Sequence, residues 1–362
     1  MNRCVNLDWL EVFARERDGG ATPEYFTQRG YKVKVREYGT PNYRQMFTIY
    51  DGDFPYIEIR RDPYSLKSNG GIFEPNQCHI RLANRTCYME SPINRLRAFM
   101  LANEFDYISL SRVDICLDFN YFDSGERPDY VLKSYLEGKI SKINQCRIAA
   151  HGSSNIKVHG KDKWEERVWN SISWGSKKSP ISTKFYDKSL ELRESKDKFY
   201  IRDTWEAAGL RDDESVHVWR VEFSVKSDYK HFVNIDDGEL IPNDLTQYDD
   251  REKLLFRFHS FAARYFHFKY HEDGKRKDRC RDKKLFTISQ NEKVYKPIKL
   301  TEEAEPTRTD KIIANRLQEI IRDGNISRET REAAKDMLVY FTFTKRMARY
   351  EDATNALILS HE

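Results

Sequence analysis

The chain has 362 residues, of which 39% are hydrophobic, 13% aromatic and 33% charged. Apolar and aromatic content at that level excludes bulk disorder, and the length suits one large domain or two to three modest ones. A formal net charge of +4 permits a nucleic-acid partner without requiring one. No run of about 18 apolar residues is present, so no helical membrane span is expected. The six cysteines, at 4, 78, 87, 116, 146 and 280, form no CxxC pair. Nothing N-terminal resembles a signal peptide, and reduced thiols in a cytoplasmic protein are expected.

In chain order, Asn6 or Asp8 is placed to cap a first helix, Trp9–Arg17, with Leu10 and Phe13 on its apolar side. A second short helix is predicted from Thr22 to Gly30. Tyr31–Tyr38 alternates as a strand, and Arg44–Tyr50 with Phe54–Arg60 reads as a hairpin across Asp51-Gly52-Asp53. A glycine-containing turn region, 68–76, precedes a short strand over Cys78–Asn84. Ser91-Pro92 opens a helix, Ile93–Glu104, with Leu96, Phe99, Met100 and Leu101 as its buried stripe.

Ile108–Asn120 is the first informative stretch. Its alternation predicts a strand with Arg112, Asp114, Cys116 and Asp118 on one face and Val113, Ile115, Leu117 and Phe119 on the other. Strand interiors usually avoid Asp, so two carboxylates on one face want a compensator. Arg112, solvent or a divalent cation can supply it. A helix over Asp129–Leu136, ended by Gly138, and a hairpin of Asn155–His159 with Trp164–Trp169 follow.

In Trp174–Glu194, Lys184 and Tyr186 share a strand face opposite Phe185, and Lys177, Lys178, Lys184 and Lys188 surround Tyr186 with positive charge. A tyrosine whose pKa is ordinarily near 10 needs cations or a metal if it is to act as a phenolate nucleophile. Otherwise it is an interfacial tyrosine. Trp205–Leu210 is a helical fragment. Val216–Lys226 is a strand with Arg220, Glu222 and Ser224 on one face and Trp219, Val221, Phe223 and Val225 on the other. If the strands meet, Asp114, Asp118 and Glu222 supply hard oxygen ligands suited to Mg²⁺ or Mn²⁺. If they do not, the same charges are an ionic network on a sheet. Hairpins alternating with isolated helices indicate an α+β fold, an antiparallel β-sheet core with flanking helices and a mostly helical C-terminal region.

Beyond residue 240 the texture changes. Asp249–Tyr270 is a long helix candidate. Lys269–Lys284 holds eight Lys/Arg against four Asp/Glu and is either a phosphate-contacting loop or a solvated one. Glu302–Pro306 reads as a linker before two helices, Thr309–Arg322 and Ser327–Tyr350, which would serve a dimer contact or duplex DNA. The expected domains are therefore 1–240, a catalytic and DNA-binding α+β domain, and 241–362, a helical region carrying the basic loop 269–284. His259, His267 and His271 lack a Cys or acidic partner at zinc spacing. Cys116 reads as a small buried filler.

The motifs Arg112-Val113-Asp114-Ile115-Cys116-Leu117-Asp118, Gly175-Ser176 with Ser179, Phe185-Tyr186-Asp187-Lys188-Ser189 and Arg220-Val221-Glu222-Phe223, together with Leu7-Asp8-Trp9-Leu10, occur in that order over residues 5–230. In this the chain resembles the rolling-circle replication initiation factors typified by staphylococcal plasmid initiators, a family that includes relaxases of some integrative elements. Each motif is short, and the resemblance rests on their ordered combination.

The resemblance implies a metal-dependent DNA-nicking enzyme. Tyr186 would be the nucleophile that forms a 5′-phosphotyrosyl link, with Tyr200 as the fallback. Asp114, Asp118 and Glu222 would hold Mg²⁺ or Mn²⁺, and Lys188 would assist on the phosphate side. Arg112 and Arg220 would orient carboxylates or contact phosphate. Trp174 and Trp219 are stacking candidates, with core packing favoured for Trp219. The implied partners are origin DNA, recognised as duplex and cleaved as a single strand, and a helicase. A non-catalytic DNA-binding protein on the same scaffold is the alternative.

Overall fold

The first strand shows how this sequence builds its sheet. In the computed structural model, Arg3–Glu16 is a 14-residue strand, β1, rather than the expected helix over Trp9–Arg17. Val5 and Leu7 bury on one side, then Leu10, Val12 and Ala14 continue on that same side. The alternation skips a beat because the pairing register with the neighbouring strand shifts between Leu7 and Trp9, so that Asp8 is the extra residue of a β-bulge. The resulting three-residue step from Leu7 to Leu10 imitates helical spacing.

The structure describes residues 2–17, 20–64, 67–68, 71–72, 76–143, 147–159, 162–176, 179–195, 198–226, 231–234, 238–276, 279–287, 295–298 and 308–345. The main-sheet strands are β1, β2 (Lys32–Val35), β3 (Tyr43–Asp51), β4 (Phe54–Pro63), β5 (Gln77–Leu82), β6 (Phe105–Phe119), β7 (Ile148–His159), β8 (Asp162–Trp174), β9 (Ile181–Asp187) and β10 (Trp219–Lys226). Among the described residues these ten form one sheet in the order β7-β8-β9-β10-β6-β1-β5-β4-β3-β2. Every pairing in it is antiparallel.

The helices are α1 (Pro23–Gln28), α2 (Asn84–Cys87), α3 (Pro92–Ala102), α4 (Pro128–Leu136), α5 (Lys188–Glu194), α6 (Phe199–Ala207) and α7 (Arg251–Tyr265). Two more, α8 (Arg308–Arg322) and α9 (Arg328–Lys345), lie in a separate unit. The α+β class expected from the sequence is thus the class observed.

The apolar face of the sheet carries the core. Val113, Ile115, Leu117, Val221 and Phe223 are buried there with Leu96 and Phe99 of α3, Val131 of α4, and Phe258 and Phe261 of α7. The aromatic contacts Phe223–Phe258 at 5.2 Å and Phe223–Phe261 at 5.9 Å fix α7 on β10. That packing moves the expected boundary at 240: the chain divides at Pro297/Ile298, and 241–297 belongs with the sheet. The long helix ends at Tyr265, and Phe268–Tyr270 continues as a short strand paired with Ile140–Lys142 and with Asp282–Lys283.

The opposite face is polar. α5 and α6 cover one end of it through a small cluster of Cys4, Leu192, Ile201, Trp205 and Val218. In the second unit α8 and α9 pack Ala314, Leu317 and Ile321 on Ala334 and Leu338. Residues 302–306 and 346–350 of the expected linker and last helix lie outside the described residues. No described helix is long and apolar enough to cross a membrane, and the described cysteines are free thiols.

Candidate active site

The sheet order places β9, β10, β6 and β1 side by side, which brings together motifs far apart in sequence. Tyr186 stands opposite Arg220, and Arg220 opposite Asp118. One step along, Lys184 stands opposite Glu222, and Glu222 opposite Cys116; Ser224 then faces Asp114. A row of alternate residues from each strand therefore meets on the polar face.

Tyr186 is half-buried at the rim of this face. Its hydroxyl donates to Glu222 Oε2 at 3.1 Å, and Lys184 Nζ lies 3.4 Å from Glu222 Oε1. The Lys188 ammonium sits 5.5 Å from the Tyr186 ring centroid. Burial and the Glu222 carboxylate hold the phenol well above its ordinary pKa, while Arg220 pulls the other way. The resting group is thus a neutral phenol with a carboxylate placed to accept its proton. Tyr186 and Lys184 open into a cavity of about 530 Å³ that also meets His151, Ser171 and Glu191.

Beneath Tyr186 lies a buried ionic network. Arg220 is 0% exposed. Its Nε donates to Asp118 Oδ1 at 2.5 Å and its Nη2 to Asp118 Oδ2 at 2.7 Å, while Trp205 Nε1 donates to the same Oδ2 at 2.7 Å. The remaining arm, Nη1, reaches Asp8 Oδ1 at 2.8 Å, which also accepts from the Tyr88 hydroxyl at 2.6 Å. Burial alone would raise the Asp8 carboxyl, but Arg220, Lys188 and Tyr88 together hold it well below the usual range. The bulge in β1 turns Asp8 onto this face, and Asn84 Nδ2 donates to its carbonyl at 2.6 Å. Sequence reasoning offers Asp8 as a helix cap and as part of the motif Leu7-Asp8-Trp9-Leu10, without a role among the site residues. The motif and the displaced alternation around Asp8 are the signals that point to this one.

The expected carboxylate trio separates into two groups. Asp118 is fully enclosed, and both its oxygens are engaged by Arg220 and Trp205, so it anchors the buried Arg220. Asp114 accepts from Arg112 Nε at 2.9 Å and from Nη2 at 2.5 Å, and Arg112 also donates to Ser224 Oγ at 3.0 Å. Burial and the neighbouring Glu222 nevertheless raise Asp114 to about 6. Two buried carboxylates whose charges repel are a donor set that favours an added cation. Among the described residues no three His, Cys, Asp or Glu side chains converge as a metal-holding group. Arg112 already engages both Asp114 oxygens, so an ion held by Asp114 and Glu222 would share Asp114 with that arginine and would fill its other positions with water and phosphate, the usual habit of Mg²⁺.

Other residues settle as follows. Lys188 is buried and paired with Glu191; burial and Arg220 lower its pKa. Trp174 is buried among Tyr135, Phe266 and Phe268, which removes it as a base-stacking platform. Trp219 packs on Phe185 at 5.1 Å, and Cys116 is a buried filler whose Sγ lies 3.5 Å from the Asn6 carbonyl. Tyr200 donates to Asn84 Oδ1 at 2.7 Å, and its ring lies tilted against Tyr88 at 5.4 Å.

Lys177 and Lys178 lie outside the described residues. In the 269–284 segment Lys269, Lys275, Arg281 and Lys283 pair with Asp282, Glu272, Glu272 and Glu126, which spends much of its positive charge internally. His267 bonds Asp282 at 2.9 Å. The expected strand over Val216–Lys226 begins only at Trp219, and His217 instead reaches Asp187 through Nδ1 at 2.5 Å. Asp187 also caps the unforeseen helix α5, accepting from Leu190 N at 2.9 Å.

No family model matches the chain, and no curated protein matches it. Among solved structures, the fold is similar to one titled "Structure of Rolling Circle Replication Initiator Protein from Geobacillus stearothermophilus". The likeness covers 78% of this chain and 93% of that one, at 13% identity and a TM-score of 0.41.

Proposed function

We propose that this protein cuts and rejoins a DNA strand through Tyr186, in the manner its ordered motifs imply. The observation that carries the reading is the Tyr186 hydroxyl donating to Glu222 at 3.1 Å at the mouth of an open cavity. A nucleophile hydrogen-bonded to a base, with cations around the reaction centre, is the arrangement phosphoryl transfer needs.

In this reading Tyr186 Oη attacks the phosphorus of an unpaired strand, and its proton passes to Glu222 Oε2. The new P–Oη bond replaces the P–O3′ bond, and the departing 3′ oxygen takes a proton from water. The product is a 5′-phosphotyrosyl protein and a free 3′-hydroxyl. The link conserves the bond, so the reverse attack by a 3′-hydroxyl reseals DNA without ATP. Lys184 stands beside Glu222 and offsets charge on the incoming phosphate. Arg220, fixed by Asp118 and Asp8, supplies a positive charge behind Tyr186 that does not need to reorganise. Asp114 and Glu222 are the residues that would hold Mg²⁺ or Mn²⁺, which would neutralise charge on the phosphate oxygens. Origin DNA with a single-stranded cleavage site is the substrate, and a helicase extending the nick is the partner such a product calls for.

Supercoiled plasmid carrying the element's own origin, incubated with the protein and Mn²⁺, tests the reading. Nicked circles bearing covalently attached protein are expected. Binding that yields neither product contradicts it and leaves a DNA-binding protein on this scaffold.

A further inference from the structure

A second cavity of about 390 Å³ adjoins the Tyr186 cavity and shares Asn170, Asp187 and Leu190 with it. Three large aromatic rings line it: Tyr121, which is 41% exposed, the half-buried Trp169, and Trp219, which is buried against Phe185 and leaves the first two as the accessible faces. Trp169 lies against the neighbouring strand where Gly152 faces it. A Cβ on Gly152 would stand 2.5 Å from the Val168 carbonyl oxygen, 3.0 Å from Trp169 Cα and 3.2 Å from Trp169 Cε3, so the glycine admits the close approach of the strand that carries Trp169. The register also shifts between His151 and Gly152, a bulge that turns Asn170 toward both cavities.

The charge of the wall narrows its ligand. Asp129, Asp187 and Glu214 line the cavity. Against them stand Arg127, whose fork is closed on Asp129 at 3.0 and 2.8 Å, and His217, which is bonded to Asp187 at 2.5 Å. A phosphate would meet surplus negative charge here. A neutral planar group with amino donors on its edge would not, and it would gain the ring faces.

We propose that this cavity is a base-binding subsite: it takes an unpaired nucleobase next to the scissile phosphate, stacked against Trp169 and Tyr121, with preference for bases carrying an exocyclic amine. The proposal rests on the nicking reading for which phosphate lies at Tyr186. It adds what positions and selects the strand. Stacking tolerates any base, and Glu214, the wall carboxylate that neither Arg127 nor His217 engages, supplies the discrimination.

The test uses the full chain carrying Tyr186→Phe, so that binding is read without cleavage. Fluorescein-labelled dA, dC and dT oligomers and an abasic oligomer, each about a dozen nucleotides long, are the probes. The dA and dC oligomers are expected to bind about tenfold more tightly than the abasic one, with dT between them. Trp169→Ala and, independently, the surface change Tyr121→Ala should each shrink that gap while leaving abasic affinity unchanged; Trp169→Phe should preserve most of it. Equal affinity for base-bearing and abasic oligomers overturns the proposal, as does a gap that survives both alanine changes. Because no chemistry is read, these outcomes are separate from adduct formation by the unaltered protein, which judges the nicking reading.

Discussion

Tyr186 and Arg220 face each other directly across neighbouring strands, and the Arg220 guanidinium is enclosed on its far side by Asp118 and Asp8. A fully buried cation is tolerable only when paired, and here three strands contribute to the pairing: β10 gives the arginine, β6 and β1 the carboxylates. The tyrosine is therefore seated on a charged floor that the fold itself locks.

Removing that lock should be costly. Asp118→Ala leaves Arg220 buried with Asp8 as its one remaining carboxylate, and a loss of about 3–5 kcal/mol is expected. Urea unfolding of the variant against the unaltered chain measures it. A loss below about 1 kcal/mol would mean that the network is not a structural anchor.

The Asp8 carboxyl, held well below the usual range, contributes stability that is present above the ordinary carboxylate pKa and is lost as pH falls through its own depressed value. Asp8→Asn keeps the shape and removes the charge. The variant should melt lower than the parent at pH 7, and the gap should close only in strong acid. Thermal melts across pH would detect a gap that instead closes near pH 4, which would place Asp8 outside the network.

Much of this face was legible in the sequence, because β6 and β10 alternate cleanly and both faces have a use. Asp114 and Asp118, Arg220 and Glu222 were all placed on the correct side. What the chain hid was β1. Its bulge at Asp8 breaks the two-residue period and presents Leu7 and Leu10 at helical spacing, so a strand read as a helix and its acid as a cap. Sequence spacing also could not separate Asp114 from Asp118. That difference arises from Trp205 and Arg220, which lie about a hundred residues away in the chain and close over one carboxylate only. The helix α5 escaped because seven residues carry too little periodicity to show.

Asp114 gives a pH signature of the opposite sign. Its carboxyl is raised to about 6, so the native state binds the proton more tightly than the unfolded chain and stability falls as pH rises from about 4 to about 6. Asp114→Asn should be more stable than the parent at pH 8 in EDTA and nearly equal to it at pH 4. Millimolar Mg²⁺ should flatten the parent's pH dependence, since a cation between Asp114 and Glu222 removes the repulsion. Melting curves in EDTA and in Mg²⁺ decide this, and an Asp114→Asn variant destabilised at pH 8 would show that Arg112 outweighs Glu222 there.

Glu222→Gln keeps a partner for the Tyr186 hydroxyl but cannot take its proton. Strand cleavage should slow by about 10²–10⁴-fold, with affinity for single-stranded DNA little changed. Single-turnover cleavage and fluorescence anisotropy separate the two. An unchanged cleavage rate would assign proton removal elsewhere.

Protein reacted with origin DNA in Mn²⁺, digested with protease and nuclease and sequenced by mass spectrometry, should carry its nucleotide adduct on the peptide containing Tyr186, and Tyr186→Phe should carry none. An adduct on the Tyr200 peptide, or one that persists in Tyr186→Phe, would contradict Tyr186 as the nucleophile.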